Sequence, residues 1–271
     1  TLLVGLSPVV CGLLVMAWQV DKKLDDSAVI ARQKALHSVD QLIDSLHAAS
    51  NKVLNLAEYP CDKALPTLYS EVVANPELRS LTLVRENRAY CSTLRGESGL
   101  LVDPGDYFNH RLRLEPGNDN TPDSAILFYR LQEYPYGVLA VADGQILQRL
   151  LRGLHESASV LLQFGPNRIG ATGEVQETTE APDLEQYTSM VSPLYGYTLH
   201  VGYPPGHTAR QLLDNSVALA PSLLLVGVIT AIGSYWAMNR RRALPRHIVS
   251  PTSALVFGIV LGVLATVISL P

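Results

Sequence analysis

Three long stretches without a single charged residue dominate this chain of 271 residues. They cover residues 1–20, 217–239 and 248–271. Each is close to the roughly 20 apolar residues that a helix needs to cross a bilayer. Residues 21–216 have ordinary polarity and form a segment large enough to bury a core of its own. The pattern therefore predicts a multi-pass membrane protein with one globular domain between its first two spans.

The basic residues that follow the second apolar stretch predict the orientation. Arginines near a span resist translocation, whereas acidic residues count for little. The first stretch is followed by the mixed run DKKLDD, but residues 240–247 contain four arginines and no acid, at Arg240, Arg241, Arg242 and Arg246. We expect this basic segment in the cytoplasm, either as a solvated charge run or as a patch for lipid or protein. Residues 21–216 would then be periplasmic, with the chain in the inner membrane of a bacterium.

The pattern of residues 21–216 predicts an α+β sensor domain. Apolar residues recur at spacings of three and four over residues 21–57, which predicts a long amphipathic helix leading out of the first span. A second helix is predicted at 62–74. Short strand patterns with turn punctuation follow, interrupted by an amphipathic helix at 144–156. A final helix from about residue 207 runs into the second span. This order predicts a long first helix, a mostly antiparallel sheet and an exit helix.

The three cysteines are predicted to differ in chemical state: one is a free thiol and two form a disulfide. Cys11 lies inside the first apolar stretch, where a lone cysteine behaves as a small apolar residue. Cys61 and Cys91 lie in the exported domain, where a pair of thiols is oxidised to a disulfide. Closing a loop of about thirty residues would stabilise the fold by roughly 3 to 4 kcal/mol. The bond could be a staple, or a switch in a domain large enough to fold without it. We expect it to tie the end of the long first helix to the edge of the sheet, which favours the switch.

A metal or cofactor is not predicted. Two cysteines without a further Cys or His at ligand spacing cannot close a tetrahedral zinc site. A net charge of −4 gives no reason to expect nucleic acid as a partner.

The cysteines and their neighbours resemble a known family. A first span ending in AWQ, a helix closed by PC at residues 60–61, and a strand ending in YCST at 90–93 are similar to the CSS-motif sensor domain. This domain precedes the EAL-type cyclic di-GMP phosphodiesterase domain in many proteobacterial membrane proteins. Cys91 matches the motif cysteine, Ser92 the first serine and Cys61 the upstream partner. Thr93 departs from the second serine but keeps the hydroxyl group.

The resemblance implies a redox-controlled sensor. Periplasmic disulfide-forming machinery would oxidise Cys61 and Cys91, and the bonded form would keep a cytoplasmic EAL phosphodiesterase quiet. Reduction would free the thiols and activate the enzyme. Ser92 and Thr93 could hydrogen-bond to the sulfur or to nearby backbone, or they could simply form the turn at the strand end. The arrangement also suggests a homodimer whose first and last helices carry the signal.

The chain departs from the family pattern beyond the arginines. It contains no Glu-Ala-Leu motif or metal-binding carboxylate run, so we predict no catalytic residues here and expect a regulatory part of a cyclic-guanylate-specific phosphodiesterase. In place of the linker it has the third apolar stretch, with small residues every four positions that favour close helix packing: Ala254, Gly258, Gly262 and Thr266. We expect either a piece of a longer or rearranged protein, or a sensor with a different output.

A rival hypothesis keeps the disulfide as a permanent staple. The signal would then come from a small molecule bound in a pocket lined by some of five aromatic residues, Tyr107, Phe108, Tyr129, Tyr134 and Tyr136. A third reading is a membrane protein whose exported domain only mediates assembly.

Overall fold

The computed structural model describes residues 2–94, 96–97, 99–117, 125–142, 144–155 and 158–240. The chain divides into two compact units. One is the α+β domain, residues 27–204, and the other combines the described residues before residue 27 with those after residue 204. The disulfide and all strands belong to the α+β domain.

Four α-helices occur in the described residues: α1 (Leu2–Val53), α2 (Cys61–Ala74), α3 (Gly144–His155) and α4 (His207–Arg240). The connection between α1 and α2 contains a short 3-10 helix at Leu54–Glu58 and then Pro60, whose fixed φ suits the residue before a helix. The predicted first helix therefore ends as a regular α-helix at Val53, four residues earlier than the periodicity suggested.

The α+β domain contains two antiparallel sheets. The first is built from β1 (Leu78–Arg85), β2 (Arg88–Ser92), β3 (Gly96–Glu97), β4 (Leu112–Glu115), β5 (Ile126–Glu133) and β6 (Tyr136–Ala142), in the spatial order β3-β2-β1-β6-β5-β4. The second is built from β7 (Ser159–Phe164), β8 (Asn167–Ile169), β9 (Val175–Glu177), β10 (Glu185–Val191) and β11 (Thr198–Tyr203), in the order β10-β11-β7-β8-β9. The α+β class predicted from the sequence is confirmed.

The sequence pattern did not separate the two sheets. Hydrophobic alternation marks each strand but carries no information on which strands pair, because pairing is a long-range event. The pattern also missed β3, β8 and β9, which have two or three residues each and are too short to show an alternation.

Helix α1 supplies core residues along its whole length within the domain. Its buried residues recur at spacings of three and four, as an amphipathic helix requires: Ala28, Ala31, Ala35, Val39, Leu42, Ile43, Leu46, Ala49 and Val53. Polar contacts show that α1 serves both sheets. Residues 32–44 form hydrogen bonds with β10 and the hairpin that follows it. Residues 45–57, which include part of the 3-10 helix, form hydrogen bonds with Glu77 just before β1, with Arg85 on β1 and with Tyr129 on β5.

One helix in the described part of the chain, His207–Trp236, is long and apolar enough to cross a membrane by length and composition. Its mean hydropathy is 2.1, and 17% of its most apolar window is buried. It contains most of the second predicted span. The first predicted span lies in the N-terminal part of α1, and the third, residues 248–271, lies outside the described residues.

Candidate functional site

A disulfide between Cys61 and Cys91 joins the start of α2 to the first sheet. The sulfurs are 2.04 Å apart and the Cα atoms 5.2 Å apart, within the usual range for a disulfide. Cys61 is 6% exposed and Cys91 is fully buried. A reductant in solution therefore meets a bond that is almost completely covered by protein.

The position of the bond differs from the sequence-based expectation in detail. We expected it to tie the end of the long first helix to the edge of the sheet. Cys61 instead begins α2, after a seven-residue connection that follows α1, and β2 has hydrogen-bonded neighbours on both sides, β1 and β3. Cys91 lies opposite Leu83 on one side and Glu97 on the other. The strand partner of the disulfide is thus held rigidly by the sheet.

The hydroxyl groups of the motif bond to the sheet and to the turn that follows it. Ser92 Oγ accepts from Thr82 Oγ1 at 2.9 Å and from the backbone N–H of Leu94 at 3.3 Å. Thr93 Oγ1 accepts from the backbone N–H of Leu81 at 3.1 Å, and the Thr93 N–H donates to the Leu81 carbonyl oxygen at 3.0 Å. These contacts are to Thr82 and to backbone groups near the strand end, and the role of the two hydroxyl groups in signalling stays a prediction.

The connection that leads into Cys61 is attached to the first sheet by two side chains. Arg85 Nη2 donates to the Ala57 carbonyl oxygen at 2.6 Å, and Tyr90 Oη donates to the Tyr59 carbonyl oxygen at 3.1 Å. The Arg85 guanidinium also lies over the Tyr90 ring, 4.8 Å from its centroid, as a cation–π pair. Burial raises the pKa of Tyr90, an effect that the Arg85 charge opposes, so the phenol stays protonated as a donor.

Helix α2 is held at a second place, by a carboxylate. Glu71 is 6% exposed and forms an ion pair with Lys52 at the end of α1. The same side chain accepts from Asn75 Nδ2 at 2.7 Å. A buried carboxylate needs such partners because its desolvation is costly. The N-terminus of α2 is therefore fixed covalently and its C-terminal half by charge.

A second polar cluster joins α1 to the hairpin between β10 and β11. Asp40, 9% exposed, accepts from Ser192 Oγ and from Tyr197 Oη, each at 2.9 Å. One turn further along, Asp44 accepts from Tyr195 Oη. Burial, reinforced by the hydrogen bond to the neighbouring aspartate, raises the pKa of both tyrosines well above its usual range. Both phenols therefore remain donors, which is what two carboxylates in a partly buried setting require.

The five aromatic residues of the rival hypothesis do not share one site. Tyr107 packs in an apolar cluster with Val84, Ala89, Val102 and Leu139. The neighbouring β5 residues Tyr129 and Arg130 point to opposite faces of the sheet: Arg130 lies over the Tyr107 ring, and Tyr129 contacts His47 on α1. Tyr107 and Tyr129 therefore lie on opposite faces, and Tyr134 is 75% exposed.

A small cleft lies elsewhere in the domain. Its volume is about 190 Å³, and it is lined by Ser27, Ile30, Ala31, Lys34 and Leu154. In the described part of the chain, no group of three or more His, Cys, Asp or Glu residues is placed to hold a metal ion.

The other predicted site residues lie at or beyond the end of the described chain. The backbone of Arg240 ends α4. Arg241, Arg242 and Arg246, together with the small-residue repeat Ala254, Gly258, Gly262 and Thr266, lie outside the described residues. Their roles in topology and helix packing stay predictions.

Sequence reasoning missed Arg85, Tyr90, Asp40 and Glu71. A strand-end arginine, a strand tyrosine and a helix carboxylate look like ordinary surface residues in a sequence, so no signal marked Arg85, Tyr90 or Glu71. Only Asp40 carries a hint, because it falls on the apolar stripe of α1 beside Val39.

The globular part of the chain matches a known family. The model of the CSS motif domain associated with EAL matches residues 25–215. The probable cyclic di-GMP phosphodiesterase PdeG of Escherichia coli is 23% identical over 199 residues, which cover 73% of this chain and 39% of PdeG. The chain thus spans about two fifths of that relative.

The chain is also similar to other proteins. A stretch of 30 residues, 11% of this chain, is 83% identical to protoheme IX farnesyltransferase of Nocardioides sp. and covers 10% of that protein. Among solved structures, the sensory domain of the Campylobacter jejuni chemoreceptor Tlp3 superposes with a TM-score of 0.46 at 10% identity, over 70% of this chain and 95% of that domain. The family match extends over most of the chain and includes both cysteines of the disulfide, and on this basis the chain belongs to the family of CSS motif domains associated with EAL.

Proposed function

We propose that this chain is the periplasmic sensor part of a membrane-bound cyclic di-GMP phosphodiesterase and that the Cys61–Cys91 disulfide is its redox-sensitive element. The observation that carries the proposal is the disulfide within the matched family domain. In a CSS motif domain associated with EAL, the expected output is the EAL enzyme on the other side of the membrane.

The disulfide is placed where breaking it would act on the first helix. It fixes the beginning of α2, and α2 is coupled to α1 by the Lys52–Glu71 ion pair and by the short connection at residues 54–60. Loss of the bond would leave α2 held by its packing, this ion pair and the connection at residues 54–60. A small shift of α2 would then reach α1, which contains the predicted first span.

The membrane topology is part of the same proposal. We place residues 1–20 and 217–239 as spans, residues 21–216 in the periplasm, and residues 240–247 in the cytoplasm, in an inner-membrane homodimer. The apolar helix His207–Trp236 supports the second span. An oxidising compartment supports the bond, because thiols in the cytoplasm are kept reduced.

A second candidate is a ligand sensor in which the disulfide is a permanent staple. The burial of both cysteines favours it, since an exchanging disulfide must be reached by a thiol and this one is covered. In this case the signal would be a small molecule, and the cleft lined by Ser27, Ile30, Ala31, Lys34 and Leu154 is the place to look for it.

The thiol state of the pair in cells separates the two candidates. Residues 1–240 joined to an active EAL domain would be produced in strains with and without the periplasmic disulfide-forming machinery, and thiols would be trapped with an alkylating reagent that shifts gel mobility. The redox function predicts an oxidised pair in the first strain, a reduced pair in the second, and a fall in cyclic di-GMP upon reduction.

Three variants complete the design. Cys61→Ala and Cys91→Ala should each reproduce the low cyclic di-GMP of the reduced protein, whereas Cys11→Ala, which removes the free cysteine, should behave as the unsubstituted chain. A pair that stays oxidised in both strains, with cyclic di-GMP unchanged in Cys91→Ala, would contradict the redox function and leave the ligand sensor.

A further inference from the structure

A β-bulge at Tyr90 turns two neighbouring side chains of β2 toward the same piece of chain. Leu83 lies opposite Cys91 and Val84 lies opposite Ala89, so Tyr90 has no partner on β1. Successive residues of a regular strand point to opposite faces, and an extra residue re-aims a side chain. As a result, Tyr90 contacts the backbone of Tyr59, and Cys91 is bonded to Cys61 two residues further on.

Arg85 completes this contact from β1. Its guanidinium donates to the Ala57 carbonyl oxygen and lies between two aromatic rings, 4.8 Å from the centroid of Tyr90 and 5.7 Å from that of Tyr136. We call Arg85 and Tyr90 together the connection clamp. The clamp holds residues 57–59, and only Pro60, with its restricted φ, separates these from Cys61.

We infer that the connection clamp positions Cys61 against Cys91 and thereby sets the equilibrium between the disulfide and the two thiols. The equilibrium constant for closing an internal disulfide depends on the effective concentration of one thiol around the other in the reduced protein. Cys91 is fixed by two neighbouring strands, so the freedom of Cys61 decides that concentration. The clamp restricts this freedom on the upstream side, as the packing of α2 does downstream. The inference rests on the proposed function in treating the pair as exchangeable.

The reaction that reports on the clamp is exchange with glutathione. Two glutathione thiols reduce the Cys61–Cys91 bond: its S–S bond breaks, each cysteine gains a proton and an electron, and the two glutathione sulfurs form the new S–S bond. The equilibrium constant of this exchange compares the oxidised and reduced protein directly. A contact that stabilises both forms equally leaves this constant unchanged, because only the difference between the two states enters it.

The experiment uses the purified chain in detergent, with Cys11→Ala throughout so that only one pair exchanges. The protein is equilibrated in buffers of reduced and oxidised glutathione, quenched with acid, alkylated and analysed by mass. Tyr90→Phe keeps the ring and removes the hydroxyl group that contacts Tyr59. We expect it to shift the equilibrium toward the thiols by about 3- to 10-fold, or about 15 to 30 mV, the size of one hydrogen bond.

Tyr187→Phe is the matched control. Tyr187 also loses a hydrogen-bonded hydroxyl group, the one that contacts His200, but it lies in β10 of the second sheet. We expect no change in its equilibrium constant. An unchanged constant in Tyr90→Phe, or an equal shift in Tyr187→Phe, would overturn the inference.

Arg85→Lys provides a second test if Tyr90→Phe fails to fold, as judged by circular dichroism. Lysine keeps the charge but lacks the planar fork that bonds a carbonyl and stacks on rings. We expect a shift toward the thiols here as well, and an unchanged equilibrium constant would overturn the inference. A pair that stays oxidised in cells while these variants move the equilibrium in vitro would refute the redox function and leave the clamp intact.

Discussion

Helix α1 is attached to the two sheets of the domain by different kinds of chemistry. Toward the first sheet, the attachment includes a covalent bond reached through a short connection, an ion pair, and the connection clamp. Toward the second sheet, α1 is attached by hydrogen bonds with residues more than 150 positions away, among them those on Asp40 and Asp44. The first attachment includes a disulfide, which reduction would open, and the second consists of hydrogen bonds, which substitution of one partner would remove. The same helix is thus held toward one sheet through a disulfide and toward the other by hydrogen bonds.

Loss of the disulfide should give the largest change. Cys91→Ala opens a loop of thirty residues and should lower the free energy of unfolding by about 3 to 4 kcal/mol. Urea unfolding of the purified chain in detergent, followed by circular dichroism, measures it. Cys11→Ala is the control and should change stability by less than about 0.5 kcal/mol. Equal stability of the two variants would mean that the first sheet does not depend on its covalent link.

Removal of the Asp40 carboxylate should come second. Asp40→Ala leaves the Ser192 hydroxyl group without this acceptor in a buried site and leaves Tyr197 with only its longer bond to the Leu36 carbonyl oxygen, at 3.3 Å, which should cost about 2 to 3 kcal/mol. Asp40→Asn keeps an acceptor oxygen and should recover part of this loss. Gln41→Ala, at an exposed neighbouring position of α1, is the control for helix propensity. If Asp40→Ala proves as harmless as Gln41→Ala, the second attachment is not held by these bonds.

The pH dependence of stability that arises in the second sheet should be a smaller effect. His200 is buried between Tyr187 and Gln163, with 2.8 Å from Nδ1 to Tyr187 Oη and from Nε2 to Gln163 Oε1. Burial, helped by the Arg168 charge, lowers the pKa of His200, so the unfolded chain binds a proton more tightly than the folded domain. Stability contributed by neutral His200 is therefore present above about pH 6.5 and is lost as the pH falls toward the lowered folded pKa.

The slope of the free energy of unfolding against pH should not exceed about 1.4 kcal/mol per pH unit, the limit for one titrating group. Urea unfolding between pH 7 and pH 5 should show this slope in the unsubstituted chain and lose it in His200→Gln. His37→Gln, at an exposed position of α1, should retain it. A slope that survives in His200→Gln would assign the pH response to another group.

The hydroxyl groups of the cysteine motif should have the smallest effect. Thr93→Val removes the acceptor for the Leu81 N–H at the strand end and should cost about 1 kcal/mol, without moving the glutathione equilibrium. Ser92→Ala should cost a similar amount or less, because Ser92 lies at the strand end. Urea unfolding measures the free energy of unfolding of these variants, and the exchange with glutathione measures their equilibrium constant. A shift of the equilibrium in Thr93→Val as large as that in Tyr90→Phe would place a motif hydroxyl in control of the bond.

Part of the fold and of the site could be predicted because the signals are local. The amphipathic period of α1, the stop before Pro60 and the alternation of the longer strands are properties of neighbouring residues. The cysteine pair could be predicted because two thiols in an exported domain have one dominant chemistry. The sequence by itself therefore determined the α+β class, the order of elements and the candidate Cys61–Cys91 pair.

The tertiary structure decided what the bond is attached to and what surrounds it. The division into two sheets depends on which strands meet, and the position of Tyr90 beside Cys91 depends on a bulge that appears only when β1 and β2 pair. Asp40 acquires its role because a hairpin 150 residues away folds onto α1. These features arise from long-range pairing and packing, whose energies are absent from any short window of sequence.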